Sequence, residues 1–229
     1  PAVDVPIIGL HIPAVNNQPI TSGGFATIIN DDAISAGNNG ISVFNLGGAS
    51  ITNGADGEIH AAANGIQVGS SFGGTPLPNF GTVTVMNQGA VGTDAAKVGG
   101  SGVQILNTGA VTVTNCGTEA ADGCAAAASE GKIVAKGDGI NATSLTQGVV
   151  VNNNGHVDAG GDGVVATTLL GDATVNNTSA DSIISVGDGI KVDSGVNAFV
   201  KNTGSVVAKG DYGIGALALG DISVTQSGS

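Results

Sequence analysis

From Lys132 onward the apolar residues come in short alternating runs, each stopped by glycine or asparagine. Ile133 and Ala135, Ile140 and Ala142, and Val149 and Val151 sit two apart, the period of a strand with one buried face. The residues between runs accept positive φ and favour turns. The pattern therefore predicts three brief strands per unit and no helix. The unit then recurs: Lys132 to Asn153 reads KIVAKGDGINATSLTQGVVVNN and His156 to Asn177 reads HVDAGGDGVVATTLLGDATVNN. Two further copies carry GDGIKV followed by AFVKN, and KGDYGIGA followed by ISVTQ.

The apolar residue after the turn glycine marks the period. Ile140, Val164, Ile190 and Ile214 are spaced by 24, 26 and 24, while Ile41, Ile66, Val103 and Ile140 are spaced by 25, 37 and 37. A fixed period of this size signals an array whose units bury apolar surface only against their neighbours. Stacking such units pairs each strand with its copy at roughly 4.8 Å, without crossover helices. The expectation is an all-β parallel β-helix of about eight coils, about 24 residues each, forming a rod on the order of 40 Å long.

The third strand of each coil ends in an amide: Asn30, Asn53, Asn87, Asn115, Asn153, Asn177, Asn202 and Gln226. Each lies two positions after an apolar residue (Val151 before Asn153, for example) and so shares its inward face. Stacked amides that hydrogen-bond along the axis would fix the register, as in cross-β arrays. The neighbouring Asn152 is expected to face outward.

Residues 1–24 carry four of the six prolines and do not keep the period, which suits a cap or an entry into the first coil. Residues 25–229 read as one continuous solenoid, with insertions near 69–80, 92–99 and 116–130. Loops on a rigid scaffold commonly bind, so Phe72, Leu77 and Phe80 in the first insertion are candidate contacts. The final Gln-Ser-Gly-Ser matches the end of earlier repeats, as though the chain were cut at a repeat boundary.

Composition narrows the function. A net charge of −12, with six Lys and no Arg, argues against nucleic acid, which needs a basic footprint, and against anionic membrane surfaces. No run of 18 apolar residues is present, so no membrane span or direct insertion is expected. With 40 Gly and 3% aromatics, the interior must be filled by Val, Ile, Leu and Ala.

Three features carry possible chemistry. Cys116 and Cys124 have no His close in sequence and make a poor zinc set; a disulfide suits an extracellular chain better, with two free thiols as the alternative. Asp138, Asp162, Asp188 and Asp211 recur at the turn, where stacking would bring carboxylates to about 5 Å and a repulsion of about 0.8 kcal/mol in water. Calcium would relieve it, although Asx-Gly is also good turn chemistry. The remaining acids, such as Asp158, Asp172, Asp193 and Asp221, show no pairing of the kind a glycosidase needs, and His11, His60 and His156 lie far apart. The outward pairs Thr82/Thr84 and Thr112/Thr114 raise an ice-binding array, but the row breaks at Val150 and Phe199. No catalytic residue and no cofactor is assigned.

Repeats of the form G-x-[IV]-x-A-x-G-[DN]-G-[IV]-x-[AV], closing with [TS]-V-x-N-x-G, resemble the passenger regions of bacterial autotransporters and related large secreted adhesins. The resemblance covers about Phe25 to Ser229 and lies in repeat style, not in a catalytic motif. It implies a right-handed helix displayed outside a Gram-negative cell. It also implies adhesion or self-association, with a host or bacterial surface protein or glycan, or a second copy, as partner. Departures are the absence of a C-terminal β-barrel and of GDSGS, and the presence of a cysteine pair. A carbohydrate-active β-helix enzyme is the alternative of a different class, whose sign would be acids converging beside the Gly69 to Phe80 loop.

Overall fold

The computed structural model describes residues 20–22, 24–72, 75–117, 124, 130–178, 183–210 and 212–227, and of residues 20–22 and 70–77 the backbone alone. The expectations for residues 1–19 and for His11 lie outside the described residues, as does most of the cysteine-bearing insertion.

The described strands form three sheets, of eight, eight and seven strands, plus one two-stranded hairpin. Every pairing within the three sheets is parallel; only the hairpin is antiparallel. The chain visits the sheets in rotation. Lys132–Ala135 lies on the first, Ile140–Ser144 on the second and Val149–Asn153 on the third; His156–Ala159 then returns to the first, one coil on. The result is a right-handed parallel β-solenoid of about 7 turns, at about 25 residues per turn. Among the described residues no helix is long and apolar enough to cross a membrane.

Alternation decides which side chains go in. Ile133, Ile140, Ala142, Val149 and Val151 are all fully buried, and each stacks on its counterpart: Val151 pairs with Val113 on one side and Val175 on the other. Columns of like aliphatics fill the tube, and the core residues described include no aromatic ring.

The turn glycine that precedes the second strand is required by close approach. A Cβ on Gly40, Gly65, Gly102, Gly139, Gly163 or Gly189 would fall 2.2 or 2.3 Å from a first-strand Ile or Val of the next coil. It would also fall 2.4 to 2.7 Å from the carbonyl oxygen of the next glycine in the row.

Two insertions obey one rule. Val68 aligns with Ile105 and Asn79 with Asn107, so residues 69–78 stand where the other coil has only Leu106. Likewise Val91 aligns with Ile133 and Val98 with Ala135, so residues 92–97 replace the equivalent of Val134 alone. Each excursion leaves after one inward residue and returns at the next inward residue, replacing a single outward one. Both leave through a glycine at positive φ, Gly69 at 91° and Gly92 at 73°, a backbone that residues with a Cβ rarely adopt. Val134, outward by alternation, is fully buried, and the returning Val98 donates its backbone N–H to the Val134 carbonyl at 3.1 Å.

The solenoid begins earlier than the repeat pattern suggests. Ile20–Ser22 pairs with Val43–Asn45 as the first strand of the second sheet, so part of the 1–24 segment is already coil. Three residues are too few for a period to show.

Candidate functional site

The inward amides form one continuous chain of hydrogen bonds. Asn30 Nδ2 donates to Asn53 Oδ1 at 2.7 Å, Asn53 to Asn87 at 2.8 Å, Asn87 to Asn115 at 2.8 Å and Asn115 to Asn153 at 2.9 Å. Asn153 then donates to Asn177 at 2.8 Å, Asn177 to Asn202 at 2.6 Å and Asn202 to Gln226 Oε1 at 2.8 Å. Every bond points the same way along the axis. The asparagines from Asn53 to Asn202 are fully buried, where an unpaired amide would cost about 1 to 3 kcal/mol. The outward Asn152 is half-buried and also partnered, accepting from Asn176 Nδ2 at 2.9 Å.

A second inward polar row was not legible beforehand. It lies at the end of the second strand and contains Asn45, Asn79, Asn107, Ser144, Thr168 and Ser194, all buried. These side chains bond turn backbone: Asn107 Nδ2 donates to the Gly81 carbonyl at 2.7 Å, and Ser144 Oγ to the Gly109 carbonyl at 2.7 Å. Asn79 takes its place in this row although it arrives from the long insertion.

The recurring aspartates act between coils. Asp138 Oδ1 accepts the Asp162 N–H at 3.0 Å, Asp162 Oδ1 that of Asp188 at 2.8 Å, and Asp188 Oδ1 that of Tyr212 at 3.0 Å. Asn39 and Asn64 do the same for Asn64 and Ser101. Asp211 lies outside the described residues, and Tyr212 occupies the coil position aligned with Asp188. Among the described residues no group of three or more His, Cys, Asp or Glu side chains is placed to hold a metal ion. A third row, Asp172, Asn197 and Asp221, repeats the device at the corner before the third strand.

Cys116 and Cys124 are joined, with Cα atoms 5.7 Å apart, and both are buried. Thiol titration of the unfolded, unreduced protein is expected to find no free sulfhydryl; two per chain would refute the bond.

The outer surface divides by charge. From Ile20 to Gly171, every charged residue described falls on the first sheet, on its flanking corners or in the insertion at 92–97; among the described residues of that stretch the second and third sheets and the corner between them carry none. On the charged side, Lys97 Nζ bonds Asp158 Oδ2 at 2.7 Å and Lys132 Nζ bonds Asp94 Oδ2 at 2.8 Å. The Lys132 hydrogen bond and charge hold the Asp94 carboxyl below its ordinary range.

The corner between second and third strands, uncharged up to Gly171 and carrying Asp172 and Asp221 in later coils, bears an apolar side chain on nearly every coil. Leu46, Phe80, Leu169, Leu170, Val196 and Leu219 are exposed there, with Leu145 half-buried and Thr108 as the interruption. The other two corners hold mainly Gly, Asn, Asp, Ala and Lys. Aligned apolar residues at one corner make a ridge along the rod, and contiguous exposed apolar surface marks interaction sites.

No family model, curated protein or solved structure matches this chain.

Of the three loop candidates, Phe80 stands on this ridge as the first corner residue after the insertion returns. Phe72 and Leu77 lie on the two strands of the antiparallel hairpin Ser70–Phe72 and Thr75–Leu77, and their side chains lie outside the described residues. His60 and His156 are half-buried on the outer face of the first sheet, with His60 Nε2 2.8 Å from Glu58 Oε1. Thr84 and Thr112 are aligned neighbours in the third sheet, followed by Val150. Leu46, Leu145, Leu169 and Leu219 had a signal, because each follows the last residue of a second strand. It becomes visible only when the sequence is written coil under coil.

Proposed function

We propose that the chain is part of an extracellular rod displayed on a bacterial surface, serving structure and adhesion through its outer faces. The observation that carries this reading is the exposed apolar ridge. Inward polar side chains are taken up by the amide ladder and the turns, whereas the ridge residues contribute nothing to the interior. The buried disulfide fits an oxidising location. A carbohydrate-active enzyme would place acids beside the 69–78 insertion, and the sheets flanking it are uncharged over the first five coils. The turn aspartates, meanwhile, are bound to the backbone of the next coil.

Beads coated with the purified chain are expected to adhere to cells, and the double substitution Leu169→Ser/Leu170→Ser to reduce adhesion about tenfold, the scale of one lost apolar anchor. Both leucines are exposed, so melting temperature is expected to stay unchanged. Adhesion that is absent, or indifferent to the double substitution, would refute the reading. Release of new reducing ends from a polysaccharide would favour the enzyme.

A further inference from the structure

We infer that the ridge and the sheet faces on either side of it seat the rod lengthwise on a zwitterionic lipid surface, with the ridge side chains entering the boundary between headgroups and acyl chains. The inference rests on reading the ridge as the working surface, and it names the partner.

The cross-section carries the first reason. In a three-sided coil the corner between second and third strands lies opposite the first sheet, and the described charges from Ile20 to Gly171 all belong to the first sheet's side. The tube is thus amphipathic across its width, apolar at one edge, uncharged on two faces and charged on the third. A charge taken into an apolar medium loses its hydration and gains no partner. Here every such charge stays in water when the opposite edge meets a bilayer. Crossing a bilayer takes about 18 or more apolar residues in a row, whereas resting an edge on one takes only an apolar face beside a polar one.

The shape of the ridge selects lipid over a folded partner. Leu46 and Leu169 are 59% and 62% exposed, Phe80 is 41% exposed, Leu145 is half-buried and Thr108 interrupts the row. These side chains differ in kind and height, and they stand on a convex corner. A rigid protein surface would have to match each step to exclude water, and a sugar would need polar groups converging on it. Acyl chains close around any outline. Next to the corner the third sheet presents Thr27, Ser50, Thr84 and Thr112 as successive neighbours, and the second sheet presents Gln67, Gln104 and Asn141. Their neutral hydroxyls and amides can meet phosphate and ester oxygens without bringing a charge to the interface.

The net charge sets the lipid class. At −12 the rod is repelled by an anionic surface, whose negative potential reaches about 10 Å into solution at 0.1 M salt. A zwitterionic surface offers no such field. From Asp172 onward charges return beside the ridge, at Lys191, Asp193, Lys201 and Asp221. The contact therefore runs from Phe25, exposed at the same corner of the first coil, to Leu170, over about 24 Å at about 4.8 Å per coil.

Flotation of the intact chain with phosphatidylcholine vesicles is expected to carry it into the lipid fraction, with little dependence on salt. Vesicles rich in phosphatidylserine should bind it several-fold less, and added salt should narrow the gap. Leu169→Ser/Leu170→Ser is expected to lower the partition coefficient about tenfold, the scale of two apolar side chains withdrawn from an interface, and Thr84→Glu to lower it at least as much. Ser35→Glu, on the exposed face of the first sheet, leaves it unchanged. Because Cys116 and Cys124 are joined, one introduced cysteine can carry an environment-sensitive fluorophore. With vesicles its emission is expected to shift to the blue at Leu46→Cys and to stay constant at Ser35→Cys. No flotation with phosphatidylcholine, tighter binding to phosphatidylserine, a double serine variant that floats like the parent, or a blue shift at Ser35→Cys would each overturn the inference. Ridge-dependent pairing of chains in place of vesicle binding would overturn it in favour of a second copy. Beads that adhere to cells while the chain ignores vesicles overturn the lipid partner and leave the surface-rod reading standing, whereas vesicle binding without adhesion does the reverse.

Discussion

Gly139→Ala is expected to unfold at a far lower urea concentration than the parent, with a loss of about 3 kcal/mol or more. The added methyl would lie 2.2 Å from Val157 Cγ1 and 2.5 Å from the Gly163 carbonyl oxygen. The valine could rotate, but the carbonyl belongs to the next coil and accepts the Ile140 N–H at 3.0 Å. Making room therefore means parting two coils and weakening a ladder bond. For that reason Val157→Ala in the same chain should not rescue it. Gly37→Ala provides the comparison: nothing lies within 4 Å of its Cβ position, and its midpoint should stay within about 0.5 kcal/mol of the parent. Equal midpoints for the two alanine variants would show that the turn glycines are not set by coil spacing.

Asn153→Leu is expected to cost about 2 to 6 kcal/mol, since it takes the ladder partner from two buried amides at about 1 to 3 kcal/mol each. Asn115 Nδ2 would keep only a 3.3 Å contact with the His156 carbonyl, and Asn177 Oδ1 would lose its donor at 2.8 Å. Asn152→Leu removes one half-exposed acceptor and should cost less than about 1 kcal/mol. Urea midpoints of the two single variants measure the asymmetry, and equal values would mean that the ladder does not hold the register. Asn153→Asp gives a sharper test. Its carboxylate still accepts from Asn115 but offers no N–H to Asn177. Burial against another acceptor raises its folded-state pKa, so the protonated form favours the fold and the deficit should grow as pH rises through that value.

The features legible in the sequence are those that recur at a fixed spacing and depend on residue type alone. Asn153 could be assigned to the interior because it lies two residues after Val151, and eight such positions agree. Cys116 and Cys124 were legible through their number and their context. The turn aspartates were half legible. Their place in a turn was clear, but the acceptor role of Asp138 toward the Asp162 N–H depends on the height of the next coil, which no local pattern records. The glycine row is similar, since GDG reads as turn chemistry while the decisive contact is a carbonyl oxygen 24 or more residues away. Val134 shows a further limit: alternation sends it outward, and only the inserted loop that returns beside it takes it from water. The ridge was least visible, because Leu46, Phe80 and Leu169 are each unremarkable alone and share a corner only after insertions of different length are removed.

The way the two excursions are grafted bears on how such a rod can change over time. Because residues 69–78 and 92–97 each stand in for one outward side chain, their length is uncoupled from the stacking of the interior. The backbone exits through a left-handed glycine and re-enters at the next inward position, so neighbouring coils meet the same surface whether one residue intervenes or ten. A segment grafted this way can lengthen, shorten or be exchanged while the tube keeps its register. The loop-closure term grows only slowly with its length. The tube thus separates two kinds of inheritance: an interior in which almost every substitution is felt by the coils on either side, and an exterior into which new sequence can be spliced one residue-wide socket at a time.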